Sequence, residues 1–121
     1  MGGVNVAVLG ASDDPEKYSH KAVMRLKEKG HVVFPVHPSL KEIEGLKVYV
    51  SVRETPAIDT VSLYLSAKNS SKIADEIISK KPKRIIFNPG AENPELQSKA
   101  EAAGIKTLNA CTLVLLSTNQ F

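Results

Sequence analysis

The sequence predicts a doubly wound α/β domain: one parallel sheet of about five strands in the order 3-2-1-4-5, with helices on both faces. Three observations carry this expectation. Short valine- and isoleucine-rich runs recur at Val4 to Leu9, His31 to Val36, Thr60 to Leu65, Arg84 to Phe87 and Ile105 to Leu108. Between them lie stretches whose apolar residues follow helical spacing, and short polar or glycine-containing joints separate the two kinds. Strands and helices that alternate in this way are joined by right-handed crossovers, which gives a Rossmann-like architecture.

Each element has a local reason. Val4 to Leu9 is almost wholly apolar, as a strand covered on both faces must be, and Gly10 ends it. After a polar turn, Ala11 to Lys17, the residues Ala22, Val23 and Leu26 mark one face of a helix that opens at Ser19 and stops at Gly30. The second strand, His31 to Val36, is closed by Pro35 and Pro38. Lys47 to Val50 reads as a short extended piece, and Ser51 with Glu54 has capping-box spacing over a brief helical turn. The third strand, Thr60 to Leu65, runs between Asp59 and Ser66. Ile73, Ala74, Ile77 and Ile78 share a face of a helix that begins near Asn69 and that Pro82 forbids from continuing. Asn93, Pro94 and Glu95 supply a cap, a first-turn proline and an acidic first turn for a helix running to Ala103 and ending at Gly104. Thr112 to Phe121 is apolar enough to pack as a terminal helix, and it is also a candidate for covering a homodimer interface.

The bulk properties narrow the functional classes. A chain of 121 residues is one domain's worth, read as residues 1–121 without linker or repeat. Its net charge of +3 is a mild bias, and the densest basic cluster, Lys80 to Arg84, sits at a helix-to-strand joint without the interleaved aromatics that single-strand binders stack on. A nucleic-acid partner is therefore not expected, whereas a small anionic ligand suits the charge. The single cysteine, Cys111, excludes an internal disulfide and a cysteine-rich zinc site. No apolar run approaches the roughly 20 residues of a membrane span. Met1 to Asn5 lacks the basic and apolar regions of a signal peptide, and Val6 stands where a myristoylation motif needs Ser or Thr. A cytoplasmic protein is expected.

In a doubly wound sheet ligands bind at the carboxyl ends of the strands, where the strand order reverses. With the first strand central, that crevice is expected between the first and fourth strands. Five segments converge there: Gly10 to Ser19, Val36 to Ser39, Leu65 to Ala67, Asn88 to Asn93 and Asn109 to Thr112. At Gly10, Ala11 and Ser12 the missing Cβ of Gly10 admits a close approach and Ser12 offers a hydroxyl. The following helix presents free N–H groups and a partial positive charge, and Lys17, Tyr18 and Ser19 lie at its mouth. These residues alone leave two readings open: a phosphate-binding loop, or a tight turn at Gly10 followed by a cap at Ser19.

The end of the second strand separates candidate cofactors. A G-x-G-x-x-G fingerprint is absent, because Ser12 and Pro15 occupy the places of its second and third glycines. Nor is there the carboxylate that grips an NAD ribose, since Pro35-Val36-His37-Pro38-Ser39 meets no acid until Glu42. An acid there would repel a ribose phosphate; His37, Ser39 and Lys41 would not. Coenzyme A carries such a 3′-phosphate and NAD does not, so the departure favours coenzyme A.

These residues resemble the stand-alone coenzyme A-binding domains, relatives of the nucleotide-binding domain of the succinyl-CoA synthetase α-subunit. The resemblance rests on Val8 to Asp13 with Lys17-Tyr18-Ser19, on Val33 to Pro38, on Ile43-Glu44-Gly45 and on Ile58 to Val61, with Gly90 and Cys111 also in family-like places. It spans essentially the whole chain. It implies that Gly10, Ala11, Ser12, Val36 and Pro38 contact the nucleotide portion, and that Lys17, Tyr18 and Ser19 line the phosphates. His37 stands where the family usually has Asn. Asn88, Pro89 and Gly90, with Ala91 to Asn93, replace the usual Gln-x-Gly stretch at the pantetheine end.

The function this implies is binding of coenzyme A or an acyl-CoA by a module without chemistry of its own. The synthetase relatives add a domain carrying a phosphorylatable histidine. A 121-residue chain is expected to have no room for it, so that any reaction would need a partner chain. A small NAD(P)-dependent oxidoreductase or NAD(P)-binding regulatory domain is the alternative, and a receiver-like domain is set aside because no aspartate ends the third strand. His37 has no paired nucleophile or orienting carboxylate, so it is not read as catalytic. His20, His31 and His37 share no metal-ligand spacing. Glu92 reads as a loop residue capping a helix. Cys111, just past the fifth strand, could meet the thiol end of the cofactor, although it has no basic neighbour in sequence to activate it and small cysteines more often serve as buried packing.

Overall fold

The structure, a computed structural model, describes residues 3–121; the readings placed on Met1 and Gly2 lie outside the described residues. In chain order the elements are β1 (Asn5–Leu9), α1 (Tyr18–Glu28), β2 (Val32–Val36), β3 (Glu42–Ile43) and β4 (Leu46–Lys47). A 3₁₀ turn (Val52–Glu54) leads to β5 (Thr60–Leu63), α2 (Ala67–Lys72) and α3 (Ala74–Ser79). The chain then forms β6 (Arg84–Phe87), α4 (Pro94–Ala102), β7 (Lys106–Asn109) and α5 (Thr112–Ser117).

The five longer strands make one wholly parallel sheet. Its two faces are read off alternate residues of β1. Val6 and Val8 pack with Val23, Leu26 and Leu116 under α1 and α5, while Ala7 and Leu9 join Val61, Leu63, Ile77, Phe87 and Leu96 under α3 and α4. Val6 to Leu9 are completely buried, which accounts for the unbroken apolar run. Each such Val or Leu contributes about 1.5–3 kcal/mol of transfer free energy. No helix among the described residues is long and apolar enough to cross a membrane.

The predicted fold class holds, but the strand order needs correction. Counting the five parallel strands, the order is 2-1-3-4-5 rather than 3-2-1-4-5, because the third strand (β5) pairs directly with β1, Val6 opposite Thr60 and Leu9 opposite Leu63. Two physical constraints decide this. Pro35 lies inside β2 and has no N–H to give, so β2 takes an edge. Thr60, Val61, Ser62 and Leu63 are all fully buried, which requires strands on both sides and helices on both faces. The outer side of β2 is met by Tyr49, whose N–H donates to the Pro35 carbonyl (2.9 Å) and whose carbonyl accepts from His37 N–H (3.0 Å). The reversal point therefore lies between β1 and β5, not between the first and fourth strands.

Smaller differences have local causes. The expected extended piece at Lys47 to Val50 is preceded by a hairpin, β3 to β4, turned at Glu44 (φ 49) and Gly45 (φ 81). Ser51 does begin a helical turn, closed by its carbonyl accepting from Glu54 N–H (3.1 Å) rather than by its side chain. The helix expected near Asn69 starts at Ala67, capped by Ser66 Oγ accepting from Asn69 N–H, and Ile73 (φ −118) splits it in two. Asn93 caps α4 as expected, its Oδ1 accepting from Leu96 N–H (3.1 Å) with Pro94 in the first turn.

Candidate ligand-binding cleft

The carboxyl ends of β1, β2 and β5 open on a cleft of about 840 Å³. Three predicted segments line it: Gly10-Ala11-Ser12 after β1, Lys17-Tyr18-Ser19 at the start of α1, and Val36-His37-Pro38 at the end of β2.

The first segment is fixed by sterics and backbone pairing. Gly10 has φ +86, and a Cβ there would stand 3.1 Å from Leu65 Cδ2 and 3.2 Å from the Tyr64 carbonyl carbon. The N–H groups of Gly10 and Ala11 both donate to the Val36 carbonyl (3.2 Å each), tying the loop to β2. Ser12 Oγ accepts from Asp14 N–H (3.0 Å), and Asp14 Oδ1 accepts from Glu16 N–H (3.0 Å). This leaves the Ser12 hydroxyl proton for a ligand.

The mouth of α1 is electrostatically open. Lys17 occupies the N-cap without a side-chain cap, and no acid sits in the first turn. The N–H groups of Tyr18, Ser19 and His20 thus have no intrahelical acceptor, and the nearest acids in sequence, Asp13, Asp14 and Glu16, stand on the preceding loop. By contrast, α2 and α4 are capped by Ser66 and Asn93. Tyr18 is 68 % exposed, with the Lys21 ammonium 5.4 Å from its ring centroid. An anion drawn here meets backbone donors, a lysine and an aromatic face.

His37 closes a turn with its side chain. Its Nδ1 accepts from Ser39 N–H (3.0 Å) and Leu40 N–H (3.1 Å), closing the turn after β2 as an Asn side-chain carbonyl would. The Ser39 hydroxyl oxygen lies 3.4 Å from the same nitrogen, so this ring atom is occupied within the turn.

Four predicted residues do not line the cleft. Asn88 is fully buried: its Nδ2 donates to Ser62 Oγ (3.1 Å) and the Leu63 carbonyl (3.0 Å), and its Oδ1 accepts from Thr112 N–H (2.8 Å). It clamps β5, β6 and the start of α5. Pro89 and Gly90 are exposed, on a turn where Glu92 Oε1 accepts from Gly90 N–H (3.0 Å). Cys111 is half-buried at the N-cap of α5, close to the Tyr64 hydroxyl. That hydroxyl is buried without a hydrogen bond, since the nearby Ser62 and Thr112 hydroxyls are bonded to each other at 2.8 Å. Burial above all, and then the Cys111 thiol, push the Tyr64 phenol up to about 12.

The far wall was not anticipated. Val50, Ser51 and Val52 join Asn69, Ile73 and Glu76 there, beside Tyr64, Leu65 and Ser66 from the end of β5, and Arg53 lies 3.7 Å from the Glu76 carboxylate. Tyr49, hydrogen-bonded to β2, draws Val50 to the cleft edge, where it is 59 % exposed. An exposed valine in a loop leaves no trace in the sequence pattern; only the strand order puts it here. Among the described residues no group of three or more His, Cys, Asp or Glu side chains is placed to hold a metal ion.

A parallel sheet with an open helix N-terminus at its reversal point defines a Rossmann-like domain of the kind that holds ligands at the carboxyl edge. Residues 4–117 match the CoA binding domain family, and the chain belongs to it. A segment of 52 residues is 44 % identical to the acetate–CoA ligase [ADP-forming] II subunit alpha of Pyrococcus furiosus, covering 42 % of this chain and 11 % of that one. Over 74 residues it is 30 % identical to the uncharacterized protein YneT of Bacillus subtilis, covering 60 % of this chain and 55 % of that one. The match thus spans well under two thirds of either curated relative. A crystal structure of an uncharacterized protein superposes over all of both chains with a TM-score of 0.92 at 36 % identity.

Proposed function

We infer that this chain binds coenzyme A or an acyl-CoA in the cleft between β1, β2 and β5, as a module without chemistry of its own. One observation carries the reading: the start of α1, without a side-chain cap or an acid in its first turn and with Lys17 beside it, faces the cleft next to Gly10, Ala11 and Ser12. That end suits a diphosphate. Leu65, Val52 and Ile73 offer an apolar wall for a flat base, and the volume of about 840 Å³ falls within the roughly 300–1,000 Å³ of small-ligand sites. The end of β2 presents Val36, His37 and Pro38 and no carboxylate, which suits a phosphorylated ribose better than the free hydroxyls of NAD.

Coenzyme A, when bound, would supply a thiol to carry an acyl group; this chain's residues would hold the nucleotide. Asn88, Pro89, Gly90 and Cys111 lie near the sheet's carboxyl edge, beyond the cleft lining, where the pantetheine arm would have to extend. A reaction would need a further chain, and the reading places the protein in the cytoplasm.

Thermal-shift measurements on the full chain with coenzyme A, acetyl-CoA, dephospho-CoA, NAD, NADP and FMN test this. Ligand at a hundredfold over its Kd adds about 2.7 kcal/mol, a rise of roughly ten degrees for a domain of this size. Coenzyme A is expected to give that rise. Stabilisation by NAD or NADP without any by coenzyme A would replace this reading with the oxidoreductase alternative.

A further inference from the structure

His20 lies one residue beyond Ser19 on α1, outside the cleft lining, and is only 5 % exposed. Its Nδ1 is 2.8 Å from the Ser12 carbonyl oxygen, and its Nε2 is 3.3 Å from Glu44 Oε2. Both neighbours are acceptors only. A neutral imidazole carries one N–H, so it can serve one of them while its lone pair faces the other; only the imidazolium donates to both.

The two acceptors are themselves held. Glu44 sits in the β3–β4 turn at φ 49, and its own carbonyl accepts from Lys27 Nζ of α1 (3.1 Å). Ser12 belongs to the loop tied to β2 through Gly10 and Ala11. Fixing the Ser12 carbonyl also fixes the Ser12–Asp13 peptide plane, whose N–H points the opposite way. One ring thus joins the hairpin to the loop that the ligand reading assigns to phosphate.

We propose that His20 is the positioning residue of this loop: clamped as an imidazolium between Ser12 and Glu44, it holds the loop in its ligand-accepting shape and makes affinity there depend on pH. The proposal rests on the cofactor reading above. The charged groups on surrounding elements are Asp13, Asp14 and Glu16 on the loop, Lys17 at the N-cap, Lys21, Arg25, Lys27 and Glu28 on α1, and Glu42, Glu44 and Lys47 on the hairpin. α5, packed against α1, has none. Among the described residues Glu44 alone forms an ion pair with the ring. The cation adds positive charge beside the open helix end and satisfies both acceptors. Without its second N–H the ring sets a lone pair against an oxygen, which loosens the loop and weakens anion binding.

Nitrogen-15 spectra of the histidines in the full chain, assigned by single substitutions, decide the clamp without any ligand. Two protonated ring nitrogens are expected for His20 at pH 6; a singly protonated ring there overturns the proposal. The affinity half is measured by calorimetry with dephospho-coenzyme A, whose diphosphate bridge does not titrate near neutrality. Its Kd is expected to weaken about tenfold between about pH 5.5 and 8, as the loop loses its charge-assisted clamp. Glu44→Gln, at a half-exposed site that leaves the core untouched, should flatten that profile; an unchanged profile in this variant also overturns the proposal. Failure of both the probe and coenzyme A to bind at every pH sinks the cofactor reading, while the spectra still decide the clamp.

Discussion

Gly10 and Leu65 are packed so closely that a Cβ on Gly10 would stand 3.1 Å from Leu65 Cδ2, with the Tyr64 carbonyl group 3.2–3.3 Å away. The end of β1 and the end of β5 therefore meet through a residue with no side chain, at φ +86. The candidate phosphate loop and the strand that walls the cleft are positioned by the same contact.

Gly10→Ala is expected to destabilise the domain by roughly 1–3 kcal/mol, since both the left-handed backbone and the missing space oppose a methyl group. Urea denaturation measures it. A variant as stable as the parent would show that the loop can shift away from Leu65, and the tight coupling of β1 to β5 would be wrong.

Lys17→Glu places an acid at the uncapped start of α1, where it compensates the dipole and repels a phosphate. Coenzyme A affinity should fall by tenfold or more while the melting temperature holds or rises slightly. Calorimetry and thermal melts separate the two effects; loss of stability with unchanged affinity would move the anion site elsewhere.

Asn88→Ala leaves the Thr112 N–H without its acceptor and takes a donor from Ser62 Oγ in a fully buried site, while the Leu63 carbonyl keeps the backbone N–H of residue 88. A cost of about 2–3 kcal/mol is expected from such an unsatisfied network. Affinity for coenzyme A in the surviving folded protein should change little, because Asn88 does not line the cleft.

Tyr64 gives a pH signature. Its phenol ordinarily titrates near 10 and is raised to about 12 in the fold, so the native state binds its proton more tightly than the unfolded chain does. The associated stability is fully present below pH 10 and is lost as pH rises from 10 to 12, about 2–3 kcal/mol across that window. Tyr64→Phe removes the unpaired hydroxyl. It should be neutral or stabilising at pH 7 and should shallow the alkaline unfolding profile; an unchanged profile would mean the phenol is solvated.

The sequence made the elements legible because each rests on local signals: unbroken apolar runs such as Val6 to Leu9, the Asn93-Pro94 cap, and the stop at Gly30. The strand order was missed although it too was written locally, in Pro35, whose lost N–H confines β2 to an edge. Nine of the thirteen predicted site residues line one cleft, because loops after parallel strands gather at one edge whatever the order. Of the rest of the lining, Val50 to Val52 depend on Tyr49 pairing with β2, while Asn69, Ile73 and Glu76 come from the helices after β5. That non-local contact has no signature in spacing. His20 was read only as a poor metal ligand, since its partners, Ser12 and Glu44, lie 8 and 24 residues away in sequence and meet only in the fold.

The central claim is that the ligand's nucleotide lies against the loop after β1 and the open end of α1. Amide chemical-shift mapping of the full chain titrated with coenzyme A tests it most directly. Saturable shifts are predicted to centre on Gly10 to Ser12 and Lys17 to Ser19, with smaller ones at His37 and Val52. Saturable shifts elsewhere that leave those amides unmoved, or no shifts at millimolar coenzyme A, would contradict it.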